Sequence, residues 1–212
     1  SAEPAVEISK KKTVKVIESN FLSTVNILQK VKEDNSKLIF ISSSRVYPIT
    51  ESYKKFKKYK KLGKHLPYKE ESNFNDTKTI YGFTKYCSEH LIKEYNYSEN
   101  TKFIINRCGL ISGPGQYGKV EQGLVALWMW RHINKMNVTY LGHGGNGNQV
   151  RDVLFIKDLC KLILIQIKQF KKFENEIFCI GGGTKNAVNL KNLTKLCQKI
   201  TKNKIKIMKN LN

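Results

Sequence analysis

A chain of 212 residues that is 40% hydrophobic and 10% aromatic can bury a substantial core, which excludes disorder as its default state. The formal net charge of +21 invites a nucleic-acid function. However, lysine heavily outnumbers arginine, much of the excess sits in one run from Lys54 to Lys61, and the rest is spread along helix faces, so the charge reads as compositional bias rather than a base-reading surface. The apolar stretch from Leu159 to Ile167 is interrupted by Lys161 and Gln166 and is too short to span a bilayer. Cys87, Cys108, Cys160, Cys179 and Cys197 lie far apart without a C-x-x-C pair and are expected to be reduced, buried thiols. His65, His90, His132 and His143 have no metal-ligand spacing, so no metal site is expected.

In chain order, Ser1 to Val6 has neither a basic nor an apolar leader pattern and reads as an internal start. Val14, Ile17, Phe21, Val25 and Leu28 recur at three- and four-residue steps, predicting one core helix to about Lys32. Asp34-Asn35-Ser36 breaks it. Leu38 to Ile41 then reads as a buried parallel strand with Ser42, Ser43 and Ser44 at its carboxyl end. The region from Pro48 to Thr79, including the basic 54–64 stretch, lacks a clear period and reads as a long surface excursion. A helix is predicted from about Tyr81 to Tyr95, a strand at Phe103 to Ile105, a turn at Gly113-Pro114-Gly115 and an apolar helix around Leu124 to Trp128. Val138 to Leu141 and Val153 to Ile156 read as extended, Asp158 to Phe170 as helix, and Ile177 to Ile180 as a buried strand. Asn189 is a plausible cap for a final amphipathic helix near Leu190 to Ile200, and Ile205 to Ile207 starts a strand with no partner left in the chain. Strand and helix alternate, which argues for an α/β fold with a mainly parallel sheet and a ligand beyond the carboxyl ends of its strands.

Two glycine patterns are weak phosphate-loop candidates. Gly142 to Gly147 spells G-x-G-x-x-G, but an extended run rather than a helix follows it, so a tight turn between strands is expected. Gly181-Gly182-Gly183 follows a strand but has no acidic ribose partner at the right spacing, and reads as a sharp turn. The chemistry is expected elsewhere. Tyr81 and Lys85 are four residues apart, so a helix stacks phenol and ammonium on one face. The Lys85 cation is expected to lower the phenol's pKa from about 10 and so to make Tyr81 a general base for a sugar hydroxyl. Ser42 to Tyr47 follows a buried strand at the ligand edge of the sheet and offers hydroxyls for the same oxygen.

On these residues the chain resembles the extended short-chain dehydrogenase/reductases that act on nucleotide sugars. Asn20 to Leu28 resembles that family's N-x-x-G-T-x-N-x-L helix with Ser23 in place of glycine, and Ser43 sits three residues before Val46-Tyr47 like the family's catalytic hydroxyl. Tyr81 and Lys85 match its Y-x-x-x-K pair, and Gln149 to Asp152 resembles the segment whose arginine contacts the nucleotide diphosphate. The resemblance implies a Rossmann-like doubly wound parallel sheet with a smaller C-terminal substrate lobe: 1–110 in the NAD-binding domain, 111–150 in the lobe, 151–183 back in the domain and 184–212 in the lobe. It also implies that the first βαβ unit, with its glycine loop, lies before Ser1, and hence that these 212 residues alone bind NAD weakly and are inactive.

The implied catalytic residues are Ser43, Tyr81 and Lys85. The implied NAD contacts are Ala2, Glu3, Asn20, Ser42, Tyr81, Lys85 and Gly109, and the implied substrate contacts are Ser43, Ser44, Arg45, Gln116, Gln122 and Arg151. Arg107-Cys108-Gly109, Gly113 to Gln116, and Glu121-Gln122-Gly123 look most like the CDP-paratose (CDP-tyvelose) 2-epimerases, implying epimerisation through a keto-sugar, with a 4-epimerase, a reductase or a non-catalytic nucleotide-binding fragment as alternatives. Dehydratases of the family carry an Asp-Glu pair after the catalytic hydroxyl where this chain has Ser44-Arg45, which disfavours dehydration. The partner implied is a nucleotide-diphosphate sugar, with neither nucleic acid nor membrane, in a cytoplasmic homodimer or homotetramer.

Overall fold

The computed structural model describes residues 12–49, 69–70, 74–119, 122–141 and 143–209. The expectations for Ala2, Glu3, the basic 54–64 stretch, Glu121 and Gly142 lie outside the described residues. In chain order the elements are α1 (Thr13–Ile17), a π-helical turn (Glu18–Leu22), α2 (Ser23–Glu33), β1 (Lys37–Ser43), a 3-10 turn (Ser44–Val46), α3 (Ile80–Glu99), β2 (Lys102–Cys108) and β3 (Leu110–Ser112). There follow α4 (Leu124–Ile133), β4 (Val138–Tyr140), β5 (Val150–Phe155), α5 (Ile156–Lys168), α6 (Phe170–Phe173), β6 (Glu176–Ile180), β7 (Ala187–Asn189), α7 (Leu190–Thr201) and β8 (Ile207–Lys209). The chain divides into two compact units, one of Ser1–Gly109 with Leu159–Ile180, the other of Leu110–Asp158 with Gly181–Asn212.

The first unit carries the parallel α/β sheet expected from the sequence, in the order β1-β2-β6. Its strands are short and rich in isoleucine; the central β2 is buried from Phe103 onward, while the flanking β1 and β6 are mostly half-buried. Leu28 of α2, Ile92 of α3 and Phe103 and Ile105 of β2 form a buried cluster, so the helix-period and strand-period stripes meet in one core. The single helix expected from Val14 to Lys32 is interrupted by the π-helical turn, which holds Asn20 at 2% exposure. Ser23 Oγ donates to the Ser19 carbonyl at 2.6 Å and Thr24 Oγ1 to that of Asn20 at 2.7 Å, and such back-bonding accompanies the local widening. No apolar period can reveal that feature. On β2, Asn106 faces Gln166 of α5: the two amides exchange hydrogen bonds of 2.8 and 2.9 Å while both residues are almost fully buried. This pair docks α5 on the sheet at one register, because any other leaves four buried polar groups unmatched.

The second unit contains β3 parallel to β5, β5 antiparallel to β7, and β4 parallel to β8. Its core gathers Leu127 and Trp128 of α4, Val138 and Tyr140 of β4 and Leu190, Leu193 and Cys197 of α7. Thr194 Oγ1 accepts from Trp128 Nε1 at 3.0 Å and from Tyr140 Oη at 2.9 Å while donating to the Leu190 carbonyl, so the polar edges of both aromatics are satisfied inside the core. Asn189 caps α7 as expected, its side chain accepting from Asn192 N at 2.7 Å.

Three expectations need correction. The last strand does have a partner: Ile207 pairs with Val138, a long-range parallel match that local pattern cannot expose. Residues 151–158 fall in the second unit, because β5 pairs there with β3 and β7. The glycine-rich segment before β5 joins β4 to β5 through a 3-10 turn (His143–Gly145), as expected, although the two strands have different partners. Of the cysteines, Cys108 and Cys197 are buried as expected but Cys160 is exposed, because α5 turns that position outward. No helix among the described residues is long and apolar enough to cross a membrane, and no cluster among them could hold a metal ion.

Gln166→Leu should lower stability by about 1–3 kcal/mol in urea unfolding, because it strands the Asn106 amide. Converting both residues to leucine should be less damaging than the sum of the single changes, and additivity would show that the amides do not act as a pair.

Candidate active site

Helix α3 begins at a side-chain cap: Thr79 Oγ1 accepts from Gly82 N at 3.0 Å. A residue repeated every fourth position along this helix presents one stripe, here Tyr81, Lys85 and Glu89, which are 8%, 7% and 1% exposed. The stripe meets the carboxyl end of β1. Lys85 Nζ donates to the Ile41 carbonyl at 3.1 Å and lies 4.6 Å from the centroid of the Phe40 ring. Ser42 Oγ donates to Glu89 Oε1 at 2.5 Å. The Ser43 hydroxyl interacts with the Tyr81 phenol and also accepts from Arg45 N at 3.2 Å, capping the 3-10 turn. Gly82 permits this approach: a Cβ there would run into the Arg45 carbonyl.

The electrostatics reverse one expectation. Tyr81's pKa is raised above its ordinary value by burial, and Ser43's hydrogen bond and the Arg45 charge only partly oppose that shift. The Lys85 ammonium is directed at the Ile41 carbonyl. The lysine's own pKa is lowered by burial and held up in part by the Glu89 carboxylate. Cys108, which follows Arg107 on β2, has its thiol pushed up to about 12 by burial and is therefore a neutral neighbour.

Behind the stripe lies a polar cluster that the sequence reading missed. Arg107 is the register partner of Ser42 across β1 and β2, so both side chains leave the sheet on the same face. Its guanidinium donates Nη2 to Glu89 Oε2 at 2.7 Å and Nε to both carboxylate oxygens at 3.1 and 3.2 Å. The pair is almost wholly out of water, with 4% and 1% of the side chains exposed. Arg107 Nη1 donates to the Glu70 carbonyl at 3.0 Å, and its Cζ lies 4.5 Å from the centroid of the Phe74 ring. Phe74 stacks between Tyr47 and Tyr86, so this part of the excursion is an aromatic layer and not bare surface. A second signal was available: Glu89 follows Lys85 at the same four-residue step that linked Tyr81 to Lys85.

The structure therefore brings together Ser43, Tyr81 and Lys85 with Arg45. Ser42's hydroxyl, expected at the cofactor, donates to Glu89. Ser44 is half-buried in the 3-10 turn, and Gly109 N donates to the Ile180 carbonyl at 2.8 Å. Asn20 donates Nδ2 to Thr84 Oγ1 at 3.3 Å, which places it against α3 one residue from Lys85. Gln116, Gln122 and Arg151 belong to the second unit. There Gln116 borders a cleft of about 220 Å³ with Pro114 and Ile156, donates Nε2 to the Ile111 carbonyl, and keeps a buried Oε1 without a partner among the described residues. Gln122 is exposed in a turn with Lys119, and Arg151 donates to its neighbour's carbonyl at 2.9 Å. The Gly181–Gly183 turn is fastened by Asp152, whose carboxylate accepts from Gly182 N at 2.8 Å and leaves no room for a Cβ at residue 181.

Known proteins resemble this chain in sequence and in fold. The sequence model of the NAD dependent epimerase/dehydratase family matches residues 1–181. The chain is 29% identical over 189 residues to CDP-paratose 2-epimerase of Salmonella typhi, covering 85% of this chain and 55% of that protein. It is also 29% identical over 171 residues to a Methanocaldococcus jannaschii protein assigned as a UDP-glucose 4-epimerase, covering 80% and 50%. The chain thus spans about half the length of the curated relatives it matches. Among solved structures, UDP-glucose 4-epimerase of Thermotoga maritima with UDP-glucose superposes with a TM-score of 0.81 at 23% identity, over 99% of this chain and 62% of that one. This likeness identifies the parallel sheet of the first unit as the Rossmann type.

Removing the Arg45 cation withdraws a charge that favours the tyrosinate, so Arg45→Gln should raise the Tyr81 pKa further. An ultraviolet tyrosinate titration, taken as the difference between protein with and without Tyr81→Phe, should place the wild-type midpoint above the ordinary value of about 10 and the Arg45→Gln midpoint higher still. A wild-type midpoint below that value would contradict the burial argument.

Proposed function

Because this chain belongs to the NAD-dependent epimerase/dehydratase family, we propose that its protein epimerises a nucleotide-diphosphate sugar by transient oxidation to a keto-sugar, at C2 of a CDP-sugar. The observation that carries this reading is the grouping of a buried phenol with the Ser43 hydroxyl at the carboxyl end of a parallel strand. Bound NAD would supply a reversible acceptor for the hydride of the sugar carbon. Tyr81, as tyrosinate, takes the proton of the sugar hydroxyl and returns it when the carbonyl is reduced from its other face. Ser43 fixes the same oxygen by hydrogen bonding. A phenol with a raised pKa is a strong base once ionised, and the positive charge of an oxidised nicotinamide would favour that ionisation.

The donor chemistry of the site suits the cofactor. Lys85 is an ammonium with three donors, one of them on the Ile41 carbonyl, and it stands one helical turn from the phenol, as a ribose diol requires. Asn20 and Gly109 are the further NAD contacts proposed here, and Ala2 and Glu3 complete the set. Ser44, Arg45, Gln116, Gln122 and Arg151 are proposed for the substrate, the arginines for its diphosphate. The absence of acidic residues at positions 44 and 45 supports epimerisation over loss of water, because an elimination needs an acid and a base at those positions.

A second reading, inversion at C4 of a UDP-sugar, is favoured by the equal 29% identity to the protein assigned as a UDP-glucose 4-epimerase. The two differ in the carbon inverted. Incubating the full-length protein and NAD with CDP-paratose and, separately, with UDP-glucose, and following the sugar ring protons by NMR, should show inversion of the C2 proton signal with the first. Inversion at C4 of UDP-glucose alone would select the second reading, and no change in either sugar would count against both.

A further inference from the structure

Three consecutive residues at the end of β1 are each met by one member of the α3 stripe: the Ile41 carbonyl by Lys85, the Ser42 hydroxyl by Glu89 and the Ser43 hydroxyl by Tyr81. Two of these contacts bear on the proposed chemistry. The Ser42–Glu89 contact does not, for both groups are buried, at 4% and 1% exposure. We propose that Glu89, held by Arg107, is a positioning residue that acts through Ser42 to keep the Ser43 hydroxyl on the Tyr81 phenol. The role rests on the reading of Tyr81 as the base.

The argument is geometric. Ser43 is the last residue of β1 and the cap of the turn that follows, so its hydroxyl has the freedom of a strand end unless the strand is fixed against the helix. Backbone pairing with β2 fixes β1 within the sheet but not its distance from α3. The carboxylate of Glu89 supplies that fix, because one oxygen accepts from Ser42 while both accept from Arg107, the residue paired with Ser42 on the neighbouring strand. A triangle with one corner on each of β1, β2 and α3 cannot shear without breaking a buried, charge-assisted hydrogen bond. Arg107 is itself immobilised by the Glu70 carbonyl and the Phe74 ring.

The test reads the phenol directly and needs no substrate. The protein is labelled with ¹³Cζ-tyrosine, the Tyr81 resonance is assigned by its loss in Tyr81→Phe, and its titration is followed in Ser42→Ala and Ser42→Thr. Ser42→Ala keeps the Glu89–Arg107 pair and so the fold, which the thermal midpoint checks. It should move the Tyr81 midpoint upward by about half a pH unit, the loss of part of one hydrogen bond from Ser43, and Ser42→Thr should restore it. The groups facing the phenol in both variants remain Ser43, Arg45 and Cys108, none of them substituted, so the shift reports displacement of the strand end and its turn. Where the wild type also turns over UDP-glucose or CDP-paratose with NAD, Ser42→Ala should lower kcat about tenfold and leave KM for NAD unchanged. An unchanged Tyr81 midpoint in Ser42→Ala overturns the proposal whether or not turnover is seen, and so does a rise in KM for NAD at constant kcat, which would make Ser42 a cofactor contact. Absence of turnover in the full-length wild type, with the midpoint shifted as expected, counts against the epimerase reading and leaves the positioning role standing.

Discussion

The first unit depends on the contact between one face of α3 and the carboxyl end of β1. Tyr81, Lys85 and Glu89 are polar, yet all three are at least nine-tenths buried, and burying them without partners would be prohibitive. The strand end supplies those partners as a carbonyl and two hydroxyls, and Arg107 supplies the compensating charge. Removing one member of such a buried pair destabilises far more than an exposed ion pair is worth, since the remaining charge has neither water nor counterion. Packing and site geometry therefore share one set of hydrogen bonds.

That sharing explains how a phenol comes to be available at all. Apolar surroundings raise the pKa of Tyr81, and the groups that lower it, Ser43 and Arg45, come from the strand end and the turn beyond it. The helix fixes where the phenol stands, and the strand end fixes how readily it ionises. Gly82 joins the two, because its missing Cβ lets the first turn of α3 close on the backbone of Arg45. The ammonium of the lysine next along the stripe lies on the Ile41 carbonyl.

Much of this was legible in the sequence, because its elements are set by local pattern. The apolar run of Leu38 to Ile41, the helical step from Tyr81 to Lys85 and the cap at Asn189 each need only a few neighbouring residues to be read. What stayed hidden depends on distant residues. The parallel pairing of Val138 with Ile207, the mutual amides of Asn106 and Gln166, and the register that sets Ser42 beside Arg107 leave no periodic trace. The direction of the Tyr81 shift was misread for a related reason: spacing shows which charge is near along a helix, but not how much water the fold removes or where the ammonium turns. Glu89 was overlooked although it continues the Tyr81–Lys85 spacing, because a glutamate on a helix reads as a solvated face until the sheet beneath it is known.

The central claim is that the phenol of residue 81 accepts the sugar hydroxyl's proton. It is tested most directly by comparing turnover of the nucleotide sugar by the wild type and by Tyr81→Phe, with binding of NAD and of the sugar nucleotide measured on the same samples. The expected result is a loss of at least about a hundredfold in kcat, the usual worth of a positioned proton acceptor, with both ligands still bound. A phenylalanine variant that inverts its substrate at a rate near that of the wild type would contradict the claim.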